Sequence, residues 1–276
     1  LLYQNCFTKM KYNIDCHFHP NISRNDTKAV KQCTKRWNEL KEKNVTVVIS
    51  TEHAYKNPER AYKFMQKTKP ENCFLFPGVE YVTKENVDLI IFSDNERIYT
   101  HKELEPFTMT LQQTVDFVSK NNLYCSVPHP HTLGLTSILK KKGVKEYQKY
   151  AALFGAVEIS NTAFENLRLL FSLPILRWFS KKKIISCDKT SVLPKEDYPQ
   201  KYTFLTAGSD AHFYGEAGTY ITVSCTSQDL FQTIVTNKNP EVTVHKQEKI
   251  DFRLLVRGAH VALTEFLIKL RIKVFR

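Results

Sequence analysis

Short apolar runs alternate with longer amphipathic segments along most of this chain, and this alternation restricts the fold more than any other feature. The apolar runs are residues 45–50, 73–76, 87–92, 123–127, 156–160, 202–207 and 220–224. Residues 27–43, before the first of these runs, and residues 111–120, between the third and the fourth, carry apolar side chains at helical spacing. Such an order predicts βαβ units around a mainly parallel sheet, and the nearly continuous apolar strands predict a sheet covered on both faces.

The composition is that of a globular protein. Hydrophobic residues make up 42% and charged residues 25% of the 276 residues, which excludes a disordered chain. The formal net charge is +12, and a field of that sign favours phosphate esters, polyanions or an anionic membrane surface. There is no P-loop and no GxGxxG motif, so we expect no ATP or dinucleotide cofactor. The sequence leaves the oligomeric state open.

The cysteines and the apolar stretches bear on the cellular compartment. Seven cysteines are scattered singly, which argues for a reducing compartment, and nothing resembles a signal peptide. We therefore expect a cytoplasmic protein. The longest apolar stretch, residues 169–179, is too short to cross a bilayer. Residues 250–275 predict an amphipathic helix with a basic end, which packs on the core or, as the alternative, lies on a membrane surface.

Residues of metal-ligand type stand at or just after the ends of several predicted strands. In chain order they are Asp15, His17, His19, His53, Glu80, His129, His131, Asp210 and His212, with Asp88 inside an apolar run as the exception. In a parallel barrel the carboxyl ends of the strands converge on one face. Alternating residues of an extended segment point to the same side, as in His17 and His19. Imidazoles mixed with carboxylates suit Zn, Mn or Fe, so we expect a metal cluster.

The order of these motifs resembles that of the polymerase and histidinol phosphatase (PHP) superfamily. The motifs are DxHxH at 15–19, a later His53, GVE ending at Glu80, HPH at 129–131 and GSDAH at 208–212. The resemblance implies a distorted (β/α)7 barrel over residues 1–225, followed by a C-terminal helical appendage over residues 226–276. It also implies two or three divalent ions that hydrolyse phosphate esters with metal-activated water.

Carried over by matching motifs, the resemblance also implies roles for individual residues. The metal ligands would be His17, His19, His53, Glu80, Asp88, His129, Asp210 and His212, with Glu80 bridging two ions. Asp88 stands where the family often has a histidine. A family aspartate is replaced by Arg24, for which Asp26 could substitute as ligand, while Arg24 itself could bind phosphate.

The resemblance also suggests the residues that assist the reaction. His131 or His212 would protonate the leaving oxygen. Asp15 would orient a ligating imidazole, and Glu158 and Asn161 would pack near the ligands. The substrate expected is a phosphomonoester such as a nucleotide, a sugar phosphate or a compound like histidinol phosphate. The alternatives are a phosphodiesterase or exonuclease on single-stranded nucleic acid, and a metal-binding module of low activity.

Overall fold

The structure is a computed structural model that describes residues 9–130, 136–162 and 193–244. The predicted catalytic residue His131 and the predicted helix over residues 250–275 lie outside these ranges. Among the described residues, no helix combines the length and the apolar character needed to cross a membrane.

The structure describes nine strands, of which the second to the eighth fall on the predicted apolar runs. They are β1 (Met10–Phe18), β2 (Val47–Ser50), β3 (Phe74–Val82), β4 (Asp88–Phe92), β5 (Tyr124–Ser126), β6 (Ala156–Asn161), β7 (Phe204–Gly208), β8 (Tyr220–Cys225) and β9 (Glu241–Thr243). Two strands are longer than the sequence indicates. β1 continues through His17, and β3 continues through Glu80, so both residues lie within strands rather than after them.

The structure describes five α-helices, and the first three begin at residues whose side chains satisfy free backbone amides. They are α1 (Asp26–Glu42), α2 (Pro58–Lys67), α3 (Leu111–Lys120), α4 (Ile138–Phe154) and α5 (Leu230–Ile234). The Asn25 side chain accepts from the Lys28 amide at the start of α1, and Thr110 with Gln113 forms a capping box at the start of α3. α4 is interrupted at Gly143, whose φ of 81° suits glycine.

The strands form two sheets that complete one another. The larger sheet has the order β5-β4-β3-β2-β1-β8-β9 and curls into a half-barrel, and the smaller sheet pairs β6 with β7. Parallel bridges join the sheets on both sides, from Val127 to Val157 and from Phe18 to Ala211. Strands β1 to β7 thus follow one another around a ring, as in a distorted barrel, and the fold is mixed α/β.

One strand of the ring runs against the direction of its neighbours. β4 pairs antiparallel with both β3 and β5, whereas β1, β2 and β3 are mutually parallel. A turn of only a few residues links β3 to β4, which is enough for an antiparallel pair and too short for a parallel crossover. The amino end of β4 therefore lies beside the carboxyl end of β3, where Asp88 pairs with Val82.

The first part of the predicted C-terminal appendage contributes to the sheet. β9 pairs antiparallel with β8, and β8 pairs antiparallel with β1. Leu230 and Ile234 of α5 are buried against apolar side chains of β1 and β2. Residues 226–244 therefore extend the sheet and cover part of its core, and the helical prediction beyond residue 244 lies outside the described residues.

Candidate metal centre

The predicted ligands come together at one edge of the ring. All eight are described, and each belongs to at least one group whose ligand atoms lie within 4.8 Å of one another: His19, His53 and His212; His17, His129 and Asp210; His17, His19 and Glu80; Glu80, Asp88 and His129. The carboxyl ends of the parallel strands bring most of them to this edge. Asp88 reaches it from the amino end of the antiparallel β4, which explains why it was the exception in the sequence pattern.

The carboxylate of Glu80 lies at the centre of the cluster. Its Oε1 is 3.2 Å from Nε2 of His129 and 3.8 Å from Nε2 of His17. Its Oε2 is 2.6 Å from Nδ1 of His53 and 3.4 Å from Nε2 of His19. The two oxygens of one buried carboxylate thus face different sets of imidazoles, which is the arrangement that a bridging ligand requires.

The imidazole nitrogens point toward one another. Nε2 of His17 is 3.0 Å from Nε2 of His19, and Nε2 of His53 is 3.1 Å from Nε2 of His212. Nε2 of His19 also lies 3.2 Å from Oδ1 of Asp210. Donor atoms bound to one ion at about 2.0–2.1 Å lie roughly 3 Å apart, so these spacings fit ligands that surround a cation.

Two buried polar atoms of the cluster support the same conclusion. Among the described residues, Oε2 of Glu80 and Nδ1 of His19 have no hydrogen-bond partner in suitable geometry. A buried polar atom without a partner is costly, and an unseen ion is one of its ordinary explanations. The donor set of imidazoles and carboxylates suits Zn, Mn or Fe, so the residues present fit divalent metal ions.

The electrostatic field of the cluster shifts the pKa of its members. Burial works to lower the pKa of His17, but the carboxylates of Asp210 and Glu158 outweigh it and raise that pKa to about 10. Burial also works to lower the pKa of His129, but its hydrogen bond to Glu80 and the charges of Asp210, Glu80 and Glu158 together raise that pKa to about 9. For Asp210, the effect of burial is overcome by the nearby imidazoles, and its pKa falls below the usual range. Without a metal, the carboxylates therefore hold protons on these imidazoles.

Two of the predicted ligands have unusual backbone conformations. His129 has a φ of 30° and Asp210 a φ of 51°, both in the region that side chains other than glycine rarely adopt. Such conformations persist only where the surroundings impose them, and they concentrate at functional sites. The backbone amide of Asp210 donates to the carbonyl of His17, and the amide of His129 donates to Glu158, so both positions are held by neighbouring strands.

Glu158 connects three members of the cluster. Its Oε1 lies 3.0 Å from Nδ1 of His17, and its Oε2 accepts from the amide of His129 and from the side chain of Asn161. Nδ2 of Asn161 also lies 3.3 Å from Oδ2 of Asp210. Contacts of this kind fix the orientation and tautomer of a ligating imidazole. The sequence prediction placed Glu158 and Asn161 near the ligands but did not identify Glu158 as the partner of His17.

The expected role of Asp15 needs correction. Its carboxylate accepts from the amides of His17 and Ser209 and from the Ser209 hydroxyl, rather than from an imidazole. These bonds fasten β1 to the end of β7. Burial raises the pKa of Asp15 to about 7.

The structure places Arg24 and Asp26 apart from the buried ligands. Arg24 is exposed, and its carbonyl accepts a hydrogen bond from Arg60. The carboxylate of Asp26 is 79% exposed and pairs with Arg60 at 2.7 Å. The structure therefore does not bring Asp26 into the cluster as a substitute ligand, and phosphate binding by Arg24 stays a prediction.

The sequence analysis missed three buried charged residues around the cluster. Glu52 lies 3.6 Å from Nδ1 of His19 and accepts from the amide of Asn21. Arg36 and Glu39, on α1, bind backbone groups of the segments that carry His19 and His212. The available signal was the position of Arg36 and Glu39 on the otherwise apolar face of an amphipathic helix.

Comparisons with known proteins support the fold. No protein-family model matches the sequence, and no curated protein matches it. The solved structure of PsfC from Pseudomonas syringae PB-5123 is similar with a TM-score of 0.57 and 15% sequence identity, over 92% of this chain and 98% of PsfC.

A second solved structure is PfuEndoQ from Pyrococcus furiosus, described as a lesion-specific endonuclease. It is similar with a TM-score of 0.50 and 15% identity, over 85% of this chain and 58% of PfuEndoQ. This chain therefore spans little more than half the length of that protein. At these identities the likeness shows the fold alone.

Proposed function

We propose that this protein is a divalent-metal-dependent phosphoesterase built on a PHP-type (β/α)7 barrel. The observation that carries the proposal is the position of Glu80. Its buried carboxylate lies between His129 and His17 on one side and His53 and His19 on the other. A carboxylate between two sets of imidazoles is suited to hold two ions close together.

The residues divide into overlapping sets that would hold the ions. His17, His19, Glu80 and Asp210 would hold one ion, Glu80, Asp88 and His129 a second, and His19, His53 and His212 a third. When bound, divalent ions at these positions lower the pKa of water and offset the charge of a phosphoryl group.

Around these positions, the protein orients ligands and supplies a proton. Glu158 holds the ring of His17, and Glu52 lies beside the ring of His19. The side chain of His212 is 13% exposed, so it stands at the open side of the cluster. We assign protonation of the leaving oxygen to His131, or to His212 where its ring does not hold an ion, since a near-neutral imidazole suits this role.

A small phosphomonoester is the substrate we propose first. The overlapping ligand sets would hold up to three cations within one small volume. The terminal phosphoryl group of a monoester carries more negative charge than the phosphoryl group of a diester, so it suits such a cluster better. A nucleotide, a sugar phosphate or a compound like histidinol phosphate would meet this requirement.

The first experiment measures metal content by elemental mass spectrometry together with hydrolysis of two aryl esters. The esters are p-nitrophenyl phosphate and bis-p-nitrophenyl phosphate, each tested with and without a chelator. We expect two or three equivalents of metal and chelator-sensitive hydrolysis that favours the monoester. Preference for the diester would support a phosphodiesterase, and metal without hydrolysis of either ester would favour a binding module. Absence of metal after reconstitution would refute the proposal.

Single-stranded nucleic acid is the second candidate substrate, and a basic surface on α1 favours it. Lys28, Lys31 and Lys35 are exposed at helical spacing along one face, and among the described residues no carboxylate pairs with them. Nζ of Lys35 lies 3.9 Å from the ring centroid of Tyr214, which is 42% exposed and follows His212 by two residues. Lysines beside an exposed aromatic ring suit a nucleic-acid strand.

A matched pair of double variants tests this second candidate. Lys31→Glu/Lys35→Glu reverses charge on the α1 face, whereas Lys67→Glu/Lys120→Glu makes the same charge change at the carboxyl ends of α2 and α3. If nucleic acid is the substrate, the first variant weakens oligonucleotide binding and lowers its salt dependence, while the control does not. Equal effects of both variants would assign the binding to net charge alone.

A further inference from the structure

Two residues of α1, Arg36 and Glu39, form a buried ion pair beside the segments that carry His19 and His212. Arg36 and Glu39 are 4% and 2% exposed, and Nη1 of Arg36 lies 3.1 Å from Oε2 of Glu39. Charged side chains are seldom this buried unless each of their polar atoms has a partner. The partners of this pair are backbone groups of the segments that carry the candidate ligands.

Arg36 binds carbonyls on both sides of the cluster. Its Nη2 donates to the carbonyl of His19 at 3.0 Å and to the carbonyl of Ala211 at 2.8 Å, and its Nη1 donates to the carbonyl of Phe213. His19 follows β1, and Ala211 and Phe213 flank His212 in the loop after β7. One planar guanidinium therefore holds two segments that are almost two hundred residues apart in the sequence.

Glu39 completes the attachment of the same loop. Its Oε1 accepts from the amides of Gly215 and Ala217 at 2.8 and 2.9 Å. Gly215 has a φ of 101°, a conformation that side chains disfavour, so the loop adopts a special turn where it meets Glu39. The pair thus fixes the loop through both its carbonyls and its amides.

The consequence is seen in the rings of His19 and His212. Their centroids are 4.2 Å apart and nearly parallel, with an interplanar angle of 24°. The group of His17, His129 and Asp210 has other supports, namely Glu158 and Asn161. The Arg36–Glu39 pair binds the segments of His19 and His212 and has no hydrogen bond to Glu158 or Asn161.

We propose that Arg36 and Glu39 are positioning residues for the metal position formed by His19, His53 and His212. They fix the distance between His19 and His212 because Arg36 binds the backbone carbonyl of His19 and the carbonyls on both sides of His212. The inference rests on the metal binding proposed above. A change in the pair weakens that position and leaves filled the position of Glu80, Asp88 and His129, which contains neither His19 nor His212.

The test compares changes at Arg36 with a matched change at Arg60. Arg60 also donates to two loop carbonyls, those of Ser23 and Arg24, and pairs with Asp26, but it binds no backbone group of a candidate ligand. Arg36→Lys keeps the charge and removes the planar fork of donors. Arg36→Gln/Glu39→Gln removes both charges together, so no unpaired buried charge remains. Arg60→Lys is the control.

Zn²⁺ titration of metal-free protein by calorimetry, with metal equivalents retained after gel filtration, provides the readout. We expect both Arg36 variants to lose about tenfold or more in affinity at the position of His19, His53 and His212, the scale at which ligand-supporting contacts act. The equivalent held by Glu80, Asp88 and His129 should be unchanged. Arg60→Lys should bind like the wild type.

Three results would overturn the proposal. Wild-type affinity at every position in both Arg36 variants would show that the pair does not position a ligand. Equal weakening of all positions, or loss of the near-ultraviolet circular dichroism of the folded protein in both variants, would assign the pair to general stability. Failure of the wild type itself to bind Zn²⁺ would refute the proposed function as well, so the two failures are distinguishable.

Discussion

At the scale of single residues, one carboxylate, that of Glu80, lies at the centre of the cluster. Glu80 contacts imidazoles on β1, after β2 and after β5, so a change in this one carboxylate reaches every part of the candidate centre. The supporting residues each act on fewer partners. Substitution of Glu80 should therefore reduce metal binding more than substitution of a supporting residue does.

Glu80→Gln should abolish the bridge while preserving the shape of the side chain. Because the amide carries no charge to offset two cations, we expect loss of metal equivalents and of metal-dependent hydrolysis with the fold retained. Elemental mass spectrometry and circular dichroism measure the two properties. Glu59→Gln, at an exposed carboxylate on α2, is the control that should behave like the wild type. Full activity of Glu80→Gln would contradict the two-ion arrangement.

Glu158→Gln should weaken rather than abolish metal binding. The carboxylate of Glu158 lies 3.0 Å from Nδ1 of His17 and is one of the groups that raise the pKa of His17. We expect a loss of about 10–100-fold in metal affinity, as for other contacts that orient a ligating imidazole. In the metal-free variant the pKa of His17 should fall, which NMR titration of the ring protons measures. An unchanged pKa would show that Glu158 does not act on His17.

At the scale of elements, the ring requires close approach of β7 to β1. A Cβ on Gly208 would meet the Cβ of His17 and would lie 2.8 Å from the His17 Cα. Real Cβ atoms do not approach backbone atoms so closely, so only glycine allows this contact. The residue that begins the GSDAH motif thus has a packing function in addition to any role in chemistry.

Gly208→Ala should therefore separate β7 from β1. We expect the free energy of unfolding to fall by about 2–3 kcal/mol or more, in the upper range for overpacking, together with loss of metal because His17 moves. Chemical denaturation of the metal-free protein measures the change. Gly143→Ala is the control: its Cβ would meet nothing within 4 Å, and its cost arises only from the φ of 81°. Similar losses in both variants would contradict the packing argument.

At the scale of the whole molecule, metal binding is linked to protonation. His17 and His129 have pKa values raised to about 10 and about 9, so both imidazoles carry protons at pH 7 in the metal-free protein. An ion can bind these nitrogens only after the protons leave. Metal affinity should therefore increase as the pH rises from 7 toward 9, and binding at pH 7 should release protons.

Calorimetric titration with Zn²⁺ in buffers of different ionisation enthalpy measures this release. We expect about two protons per protein at pH 7, one from each imidazole, and fewer at pH 9. The Glu158→Gln variant should release fewer at pH 7, because its His17 holds a proton less firmly. Binding heats that do not depend on the buffer would show that the imidazoles are already neutral.

Much of this molecule could be predicted from its sequence. Strands can be recognised from local runs of β-branched and apolar residues, so β2 to β8 lie at the predicted runs. The ligand candidates could be identified because imidazoles and carboxylates recur at strand ends, and strand ends of a parallel sheet meet. Both arguments use only neighbouring residues and one general rule of chain topology.

Only the tertiary structure decided how the ring closes and what supports the ligands. The antiparallel direction of β4 brings Asp88 to the cluster, and it follows from the short link after β3. The link is short because β3 continues beyond the predicted apolar run, which the local pattern did not show. The partners of Arg36 and Glu158 lie far along the chain from them. The sequence by itself determined which residues could bind metal, because that is a property of their side chains. Which of them share an ion, and what holds them, depends on distances between segments that only the folded chain brings together.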